Sequence, residues 1–222
     1  MNVDSITVLL IICISLPTIY FVVPWICSKT IILMQKKKSE NRKAVVLTFD
    51  DGPGNKFTPC ILKKLEEHKT KATFFILANK IEGNEELIQK IENKGHEICS
   101  HGYSHINQWK ALPNEAISDV KKADSLLDNI CPGKFKKVFR PPYGKLNIFS
   151  LIYIVINKIP LAYWTFDLQD TSSPIDQDLD RVKRRIYSSN GDIILIHDFD
   201  RKRKETEEYI LKSLDRKSTR LN

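Results

Sequence analysis

The strongest constraint on the fold is a regular alternation of short apolar runs and helical segments after residue 43. The runs are rich in β-branched residues and predict buried strands at 44–49, 72–77, 97–99, 138–140, 162–165 and 192–196. Helices are predicted from an N-cap at Thr58, over 85–94, from an N-cap at Asn114 to Ile130, over 176–187 and over 205–213. This alternation predicts parallel strands with right-handed crossovers, as an α/β barrel or an open sheet.

A long uncharged segment precedes this alternation. Residues 6–27 carry no charged side chain, and as a helix they would be about 33 Å long, close to the thickness of a bilayer's hydrocarbon core. A cleaved signal peptide fits less well, because Asp4 but no Lys or Arg precedes the segment and no small-residue cleavage site follows it. We therefore predict a retained membrane anchor over 1–35, a basic linker over 36–43 and a folded domain over 44–213.

Composition argues against two classes of protein. The chain has 222 residues, a formal net charge of +8 and five cysteines. Its basic runs lack interleaved aromatic side chains on which bases could stack, so we expect no nucleic-acid partner. The cysteine count is odd and contains no C-x-x-C pair, so a disulfide framework is not indicated.

Polar motifs follow five of the predicted strands, each at the strand's carboxyl end. In chain order they are TFDDGP at 48–53, SHGYSH at 100–105, RPPYG at 140–144, DLQD at 167–170 and LIH at 195–197. In parallel barrels the carboxyl ends of the strands meet at one face, where sites are built. We therefore expect these motifs to form one site.

The first two motifs carry the residue types of a catalytic metal site. Asp50 and Asp51 are adjacent carboxylates with diverging side chains, so one can bind a metal while the other acts as a base; the alternative is a simple Asp-Gly-Pro turn. His101 and His105 would share one face if the segment between them turned helically, as a chelating pair requires. With Asp51 they form a His, His, Asp set that leaves positions open for water and substrate.

The later motifs supply groups for proton transfer and for oxyanion binding. The prolines after Arg140 make a rigid loop, which either is a plain strand-to-helix corner or aims Arg140 at a carboxylate and the Tyr143 N–H at an oxyanion. His197 is either a core histidine or, with Asp167 and Asp170, a proton donor that is held charged.

These five motifs, in this order, resemble those of the polysaccharide deacetylase family, which is built on the NodB homology domain. The resemblance covers roughly residues 43–212 and implies a distorted (β/α) barrel. It also implies a divalent metal, Zn²⁺ first and Co²⁺ or another divalent ion otherwise. The implied roles are metal ligands for Asp51, His101 and His105, general base for Asp50, support of that base for Arg140, general acid for His197, support of that acid for Asp170, and the acetyl-methyl pocket for Leu195.

The sequence departs from the family pattern at four places. Gly102 stands where Ser or Thr is common between the metal-binding histidines, and Thr171 stands where an aromatic residue is usual. Residues 146–156 are apolar nearly all round, which predicts either full burial under another helix or contact with a membrane beside the site. The tail over 214–222 resembles a truncated or foreign end, so the barrel is expected to lack its last strand.

The leading interpretation is a membrane-anchored, metal-dependent hydrolase that removes N-acetyl groups from an aminosugar of a polysaccharide or glycolipid. One alternative is an amidohydrolase or deformylase that acts on a lipid-linked aminosugar or a small amide. Another is a non-catalytic glycan-binding protein that keeps the fold. Lys29 and the 36–38 cluster would keep the domain in the cytoplasm, whereas an envelope polysaccharide would require it outside, so the membrane side stays open, as does the oligomeric state.

Overall fold

The computed structural model describes residues 3–171, 184–185 and 188–200. The predicted helix over 205–213 and the tail over 214–222 lie outside these residues, as does most of the predicted helix over 176–187. The described part holds five parallel strands in the order β3-β2-β1-β5-β4. The strands are β1 (Val45–Gly52), β2 (Thr73–Ile76), β3 (Glu97–Ser100), β4 (Phe166–Asp167) and β5 (Asp192–His197).

Helices connect the strands and cover the sheet, as the alternation predicts. They are α1 (Val3–Pro17), α2 (Val23–Asn41), α3 (Phe57–Glu67), α4 (Glu85–Asn93), α5 (Pro113–Ile130) and α6 (Ile148–Ile156). The core lies between strands and helices, where the Phe49 and Phe74 rings stack with centroids 5.0 Å apart. Both residues are completely buried, as are Ile61 and Ile88 on α3 and α4. Burial on both faces explains the continuous apolar runs of these strands.

The segment over residues 161–167 contacts both edges of the sheet, which gives the sheet a barrel-like curvature. Leu161 forms a parallel bridge with Phe139, which itself bridges to Ser100 at the end of β3. A few residues later, β4 pairs with β5 at the opposite edge. The curved α/β arrangement agrees with the predicted distorted barrel.

Two predicted strands are wrong in extent. Residues 138–140 contribute only the bridges at Phe139, and residues 162–165 are not a strand. In the second segment the Tyr163 N–H donates to Gln35 Oε1 and its carbonyl accepts from Arg140. Only the ends of this segment bond to neighbouring backbone, Ala162 N–H to the Phe139 carbonyl and Thr165 N–H to the Ile193 carbonyl, both at 2.9 Å, so the side-chain bonds at Tyr163 interrupt the ladder.

Two predicted N-caps are also wrong. Helix α3 begins at Phe57, and the Thr58 hydroxyl instead accepts from the Gly54 N–H (2.8 Å) and donates to Asp198 Oδ2 (2.7 Å). Helix α5 begins at Pro113, with the Glu115 carboxylate accepting the Leu112 N–H at 3.0 Å. In α5 a proline at the first helical position therefore marks the start better than the Asn that follows it.

The N-terminal segment is a continuous helix that runs from α1 through a π-helical turn (Thr18–Val22) into α2. Within the described residues, its Ser5–Asn41 part is the one helix long and apolar enough to cross a membrane, a test that signal sequences near the N-terminus also pass. Residues 36–41, part of the predicted linker, continue α2. The second half of the helix packs on the barrel, with the buried Ser28 hydroxyl 2.7 Å from Tyr163 Oη.

Helix α6 is apolar nearly all round, as its sequence indicates, but it is buried on one side only. Leu151 and Ile154 are buried against the barrel and α2, whereas Phe149, Ile152 and Val155 are 44%, 48% and 65% exposed. The expectation of full burial is therefore wrong. An apolar strip of α6 remains uncovered beside the N-terminal helix.

Candidate functional site

The end of β1 separates the two carboxylates predicted to have different jobs. The pairing of β1 with β2 shifts register between Asp50 and Gly52, and Asp51 between them has a φ of +67°. This irregularity turns the Asp51 side chain towards the histidines of the second motif, while Asp50 faces Arg140. A local break in the strand ladder, a common device beside active sites, thus gives the neighbours separate surroundings.

Asp51, His101 and His105 converge on one point. Their candidate ligand atoms all lie within 4.8 Å of one another, with Asp51 Oδ1 3.3 Å from His101 Nε2 and 3.1 Å from His105 Nε2. His101 Nδ1 lies 2.8 Å from the Arg140 carbonyl, which can only accept, so this nitrogen donates. In the neutral imidazole of His101 the unprotonated atom is therefore Nε2, which faces the carboxylate and can bind a metal.

The surroundings of Asp51 fit a divalent cation. Asp51 Oδ1 is buried and has no hydrogen-bond partner within the described residues. Burial would raise the pKa of the Asp51 carboxyl, but the two imidazoles beside it lower this pKa well below its usual value. An ionised, unsatisfied oxygen between two imidazole nitrogens is the donor set of a three-ligand metal site with open positions.

The loop between the histidines is not helical, so the predicted helical turn is wrong. Gly102 has a φ of +85° and His105 a φ of +55°, and these two left-handed residues bring the imidazoles together. The loop is held by Asp119 of α5, whose carboxylate accepts from the backbone N–H groups of Tyr103 and Ser104, both at 2.9 Å. The Ser104 hydroxyl donates to the same carboxylate at 2.7 Å.

Arg140 is completely buried and holds Asp50. Its NH1 group donates to Asp50 Oδ1 at 2.7 Å and to the Thr48 hydroxyl at 2.8 Å. Its guanidinium lies over the Phe75 ring, 3.9 Å from the centroid. This cation compensates the buried Asp50 charge, while Asp50 Oδ2 points towards the metal-site histidines, 3.8 Å from His101 Nε2.

His197 stands at the end of β5, directly opposite Asp50 in the strand register. Asp170 Oδ1 lies 2.9 Å from His197 Nδ1, and Asp170 Oδ2 accepts the His197 backbone N–H at 3.0 Å. Burial would lower the pKa of His197, but the Asp170 carboxylate, with Asp50 and Asp51 further off, raises it to about 9. His197 is therefore an imidazolium at neutral pH.

The two residues predicted to contact substrate lie close to the histidines of the candidate site. Tyr143 is 56% exposed, has a φ of +58°, and packs its ring edge-on to His105 with centroids 4.6 Å apart. Leu195 is buried and lies two residues before His197 on the same face of β5. The Asp167 carboxylate bonds locally, where its Oδ1 accepts the Gln169 N–H at 2.7 Å, whereas Asp170 holds His197.

Sequence reasoning missed three residues that build the site. Thr48 bonds to Arg140, and Asp119 holds the histidine loop. Asp198 is completely buried, and burial raises its pKa to about 7 despite its bond from Thr58. Thr48 is the first residue of the TFDDGP motif and Asp198 follows the LIH motif, which is a usable signal. Asp119 lies on a helix face with nothing in the local sequence to mark it.

Comparison with known proteins finds relatives that belong to one family. The sequence model of the polysaccharide deacetylase family matches residues 37–152. A peptidoglycan-N-acetylglucosamine deacetylase of Bacillus cereus is 34% identical over 159 residues, covering 71% of this chain and 56% of that protein. A chitooligosaccharide deacetylase of Bradyrhizobium is 30% identical over 158 residues, covering 70% and 71%.

Comparison with solved structures also finds a deacetylase. The crystal structure of the Bc1960 peptidoglycan N-acetylglucosamine deacetylase superposes with a TM-score of 0.71 at 31% identity, and the match covers 81% of each chain. This chain spans just over half the length of the Bacillus cereus relative named above. The family model covers more than half of the chain and relatives match at 30% identity or more, so the protein belongs to the polysaccharide deacetylase family.

Proposed function

We propose that this chain is a metal-dependent hydrolase that removes N-acetyl groups from an aminosugar in a polysaccharide or glycolipid. The observation that carries the proposal is the convergence of Asp51, His101 and His105 within 4.8 Å. Beside them stand a carboxylate held by Arg140 and an imidazolium held by Asp170. The named relatives, which act on peptidoglycan and chito-oligosaccharides, support the substrate class.

A divalent ion held by Asp51, His101 and His105 would polarise the acetyl carbonyl and lower the pKa of the attacking water. Two imidazoles and one carboxylate suit Zn²⁺ first and Co²⁺ or another divalent ion otherwise. The assignment of these three residues as ligands, and the identity of the metal, are part of the proposal.

Asp50 acts as the general base that takes the proton from the attacking water. Its bond from Arg140 fixes the orientation of the carboxylate, and a base needs to be held within reach of the proton it takes. The Tyr143 N–H, which makes no hydrogen bond within the described residues, donates to the oxygen that becomes negative at the acetyl carbon. Leu195 lines the space for the acetyl methyl group.

His197 acts as the general acid. An amine anion cannot leave, so the sugar nitrogen must receive a proton as its bond to the acetyl carbon breaks. The His197 imidazolium supplies this proton, and the charge of Asp170 keeps it available at neutral pH. The products are acetate and the free amine.

The alternative of an amidohydrolase on a lipid-linked aminosugar uses the same residues, and the N-terminal helix favours it. A non-catalytic glycan-binding role is disfavoured because base, acid and ligand set are all present and mutually oriented.

The test uses the purified full chain and an N-acetylglucosamine oligomer, with acetate release as the readout. Chelation is expected to abolish release, and stoichiometric Zn²⁺ or Co²⁺ is expected to restore it. Tight metal binding without acetate release from oligomeric, polymeric or lipid-linked N-acetylglucosamine would instead support the binding-protein alternative.

A further inference from the structure

The N-terminal helix is docked on the barrel in a fixed direction, antiparallel to the strands. Near its end, Gln35 Nε2 donates to the Leu161 carbonyl at 2.8 Å. The neighbouring Lys36 Nζ lies 2.8 Å from Asp192 Oδ1. Asp192 begins β5, so this end of the helix lies at the amino ends of the strands, away from the candidate site.

The middle of the same helix lies level with the loops of the candidate site. Phe21 packs edge-on to Trp109 with centroids 5.5 Å apart, and Tyr20 Oη donates to the Ala111 carbonyl at 3.4 Å. Trp109 and Ala111 belong to the loop that follows His105. The Trp109 indole donates at 3.0 Å to the carbonyl of Leu146, which follows the Tyr143 loop.

The apolar residues before Tyr20 therefore project beyond the catalytic end of the barrel. Ile14 and Leu16 are 68% and 62% exposed. The uncharged residues 5–19, which follow the charged Asp4, would be about 23 Å long as a helix, which is less than the roughly 30 Å of a bilayer's hydrocarbon core. If this segment is inserted in a membrane, its shortness leaves no spacer, and the catalytic end must lie against the bilayer.

The surface around this point has the composition of a membrane interface. Leu112 is 62% exposed and Phe149, whose ring lies 6.1 Å from that of Tyr20, is 44% exposed. Lys110 is exposed, and Lys145 Nζ lies 4.8 Å from the Trp109 ring centroid. Exposed aliphatic and aromatic groups beside lysines suit the boundary between acyl chains and anionic headgroups.

We propose that the catalytic end of the barrel rests on an anionic lipid bilayer into which the helix before Tyr20 is inserted. The substrate class is then an N-acetylated aminosugar held at the membrane surface by a lipid. This inference rests on the proposed deacetylase function for its substrate, whereas the orientation itself depends only on the docked helix.

Orientation is tested first, by a measurement that does not depend on activity. The full chain, with Cys13, Cys27 and Cys60 replaced by Ser, is labelled with a fluorophore at L112C, or at N157C at the far end of α6. It is reconstituted into phosphatidylcholine–phosphatidylglycerol vesicles that carry nitroxide headgroups. Loss of fluorescence at L112C and not at N157C is expected, and K110E/K145E should weaken that loss. Equal quenching at both sites, or none at L112C, would overturn the proposal.

The substrate preference is tested by lifting the barrel off the membrane. A flexible insertion of about 12 Gly and Ser residues after Pro17 gives a mean reach of about 20 Å. The matched control carries the same insertion after Gly83, an exposed turn glycine with φ +79° and open space around it. Rates are compared on lipid-linked N-acetylglucosamine in the same vesicles and on a soluble oligomer.

The Pro17 insertion is expected to lower the ratio of lipid-linked to soluble hydrolysis by about tenfold or more, because the site loses its local concentration of substrate. The Gly83 insertion should leave this ratio unchanged. An unchanged ratio after the Pro17 insertion overturns the lipid-linked substrate. If the parent chain with metal hydrolyses neither substrate, the deacetylase proposal fails, and the quenching result still decides the orientation.

Discussion

Asp119 fills the space beside Gly102 that any larger residue at position 102 would need. A Cβ atom added to Gly102 would overlap Asp119 Oδ2, and the glycine's φ of +85° is itself unfavourable for other residues. The carboxylate uses this space to accept from Tyr103 and Ser104. The buried acid thus braces the loop from outside, through two backbone N–H groups and the Ser104 hydroxyl.

We predict that D119N weakens metal binding more than it weakens folding. The amide replaces one acceptor with a donor and sets it against a backbone N–H of the loop. Groups that orient metal ligands typically contribute 10- to 100-fold in affinity, so we expect a loss of about that size in Zn²⁺ affinity. Competition titration with a chromophoric chelator measures it. D128N, on the exposed face of the same helix, is the control, and equal affinities of D119N and parent would contradict the prediction.

A second prediction concerns the glycine. G102S introduces the residue type common in the family, yet we expect it to destabilise this chain by about 1–3 kcal/mol, because of the positive φ and the overlap with Asp119. G102S/D119A should cost less than the sum of the two single changes, because removing the carboxylate relieves the overlap. Urea unfolding of the metal-free proteins measures all three, and simple additivity would show that the two positions do not compete for space.

Substitution of the two adjacent aspartates should show that they have different roles. D51A is expected to lose metal binding, because it removes the one oxygen that both imidazoles face. D50N should keep the metal and lose about 10²–10⁴-fold in the rate of acetate release, the usual contribution of a general base. Metal content by atomic absorption and turnover on the oligomer measure the pair. Loss of metal in D50N would assign Asp50 as a ligand instead.

His197 should titrate far above an ordinary histidine. In the metal-free parent we expect an imidazole pKa of about 9 by NMR, against the usual 6.5, and D170N should move it back towards 6.5. Because the folded pKa is the higher one, the stabilisation is fully present below about pH 6.5 and is lost as the pH rises through about 9. D170N should therefore lose stability at pH 6 and little at pH 10, and it should shift the alkaline limb of activity to lower pH.

More of the candidate site than of the structure that supports it could be predicted from the sequence. The strands that end in Asp50 and His197 are marked by apolar β-branched runs, so the placement of those residues at one end of the sheet follows from the pattern. The loop from His101 to His105 does not, because a positive φ at His105 and the role of Asp119 arise from tertiary contacts. Local spacing suggested a helical turn that the chain does not form.

The N-terminal helix shows a different limit of sequence reasoning. The sequence of an uncharged apolar run does not distinguish a helix that faces lipid from one that packs in a groove of its own protein. Here Tyr20, Phe21 and Ser28 contact the barrel, whereas residues 5–16 are exposed except for the half-buried Ser15. Charge counting assigned residues 36–38 to a linker, but Lys36 is an ion-pair partner of the domain.

Lys36 gives a direct test of how firmly the helix is docked. Its ammonium pairs with Asp192, whose carboxylate is almost fully buried and also contacts Arg185 and Thr165. Burial would raise the pKa of Asp192, but these partners, Lys36 foremost, lower it. The resulting stabilisation is present above the ordinary carboxyl pKa near 4 and is lost as the pH falls through the lower folded value.

K36M should therefore destabilise the full chain in detergent micelles by about 1–2 kcal/mol at pH 7. This is less than the cost of leaving a buried charge with no partner, because Arg185 still pairs with Asp192. The difference from the parent should shrink towards pH 3, where protonation of the carboxyl begins to remove the need for a partner. K37M, one residue along on the exposed face, is the matched control and should stay within about 0.5 kcal/mol of the parent. A K36M chain as stable as K37M at pH 7 would mean that the Lys36–Asp192 pair adds nothing to the apolar contacts and the Ser28 and Gln35 hydrogen bonds that hold the helix to the barrel.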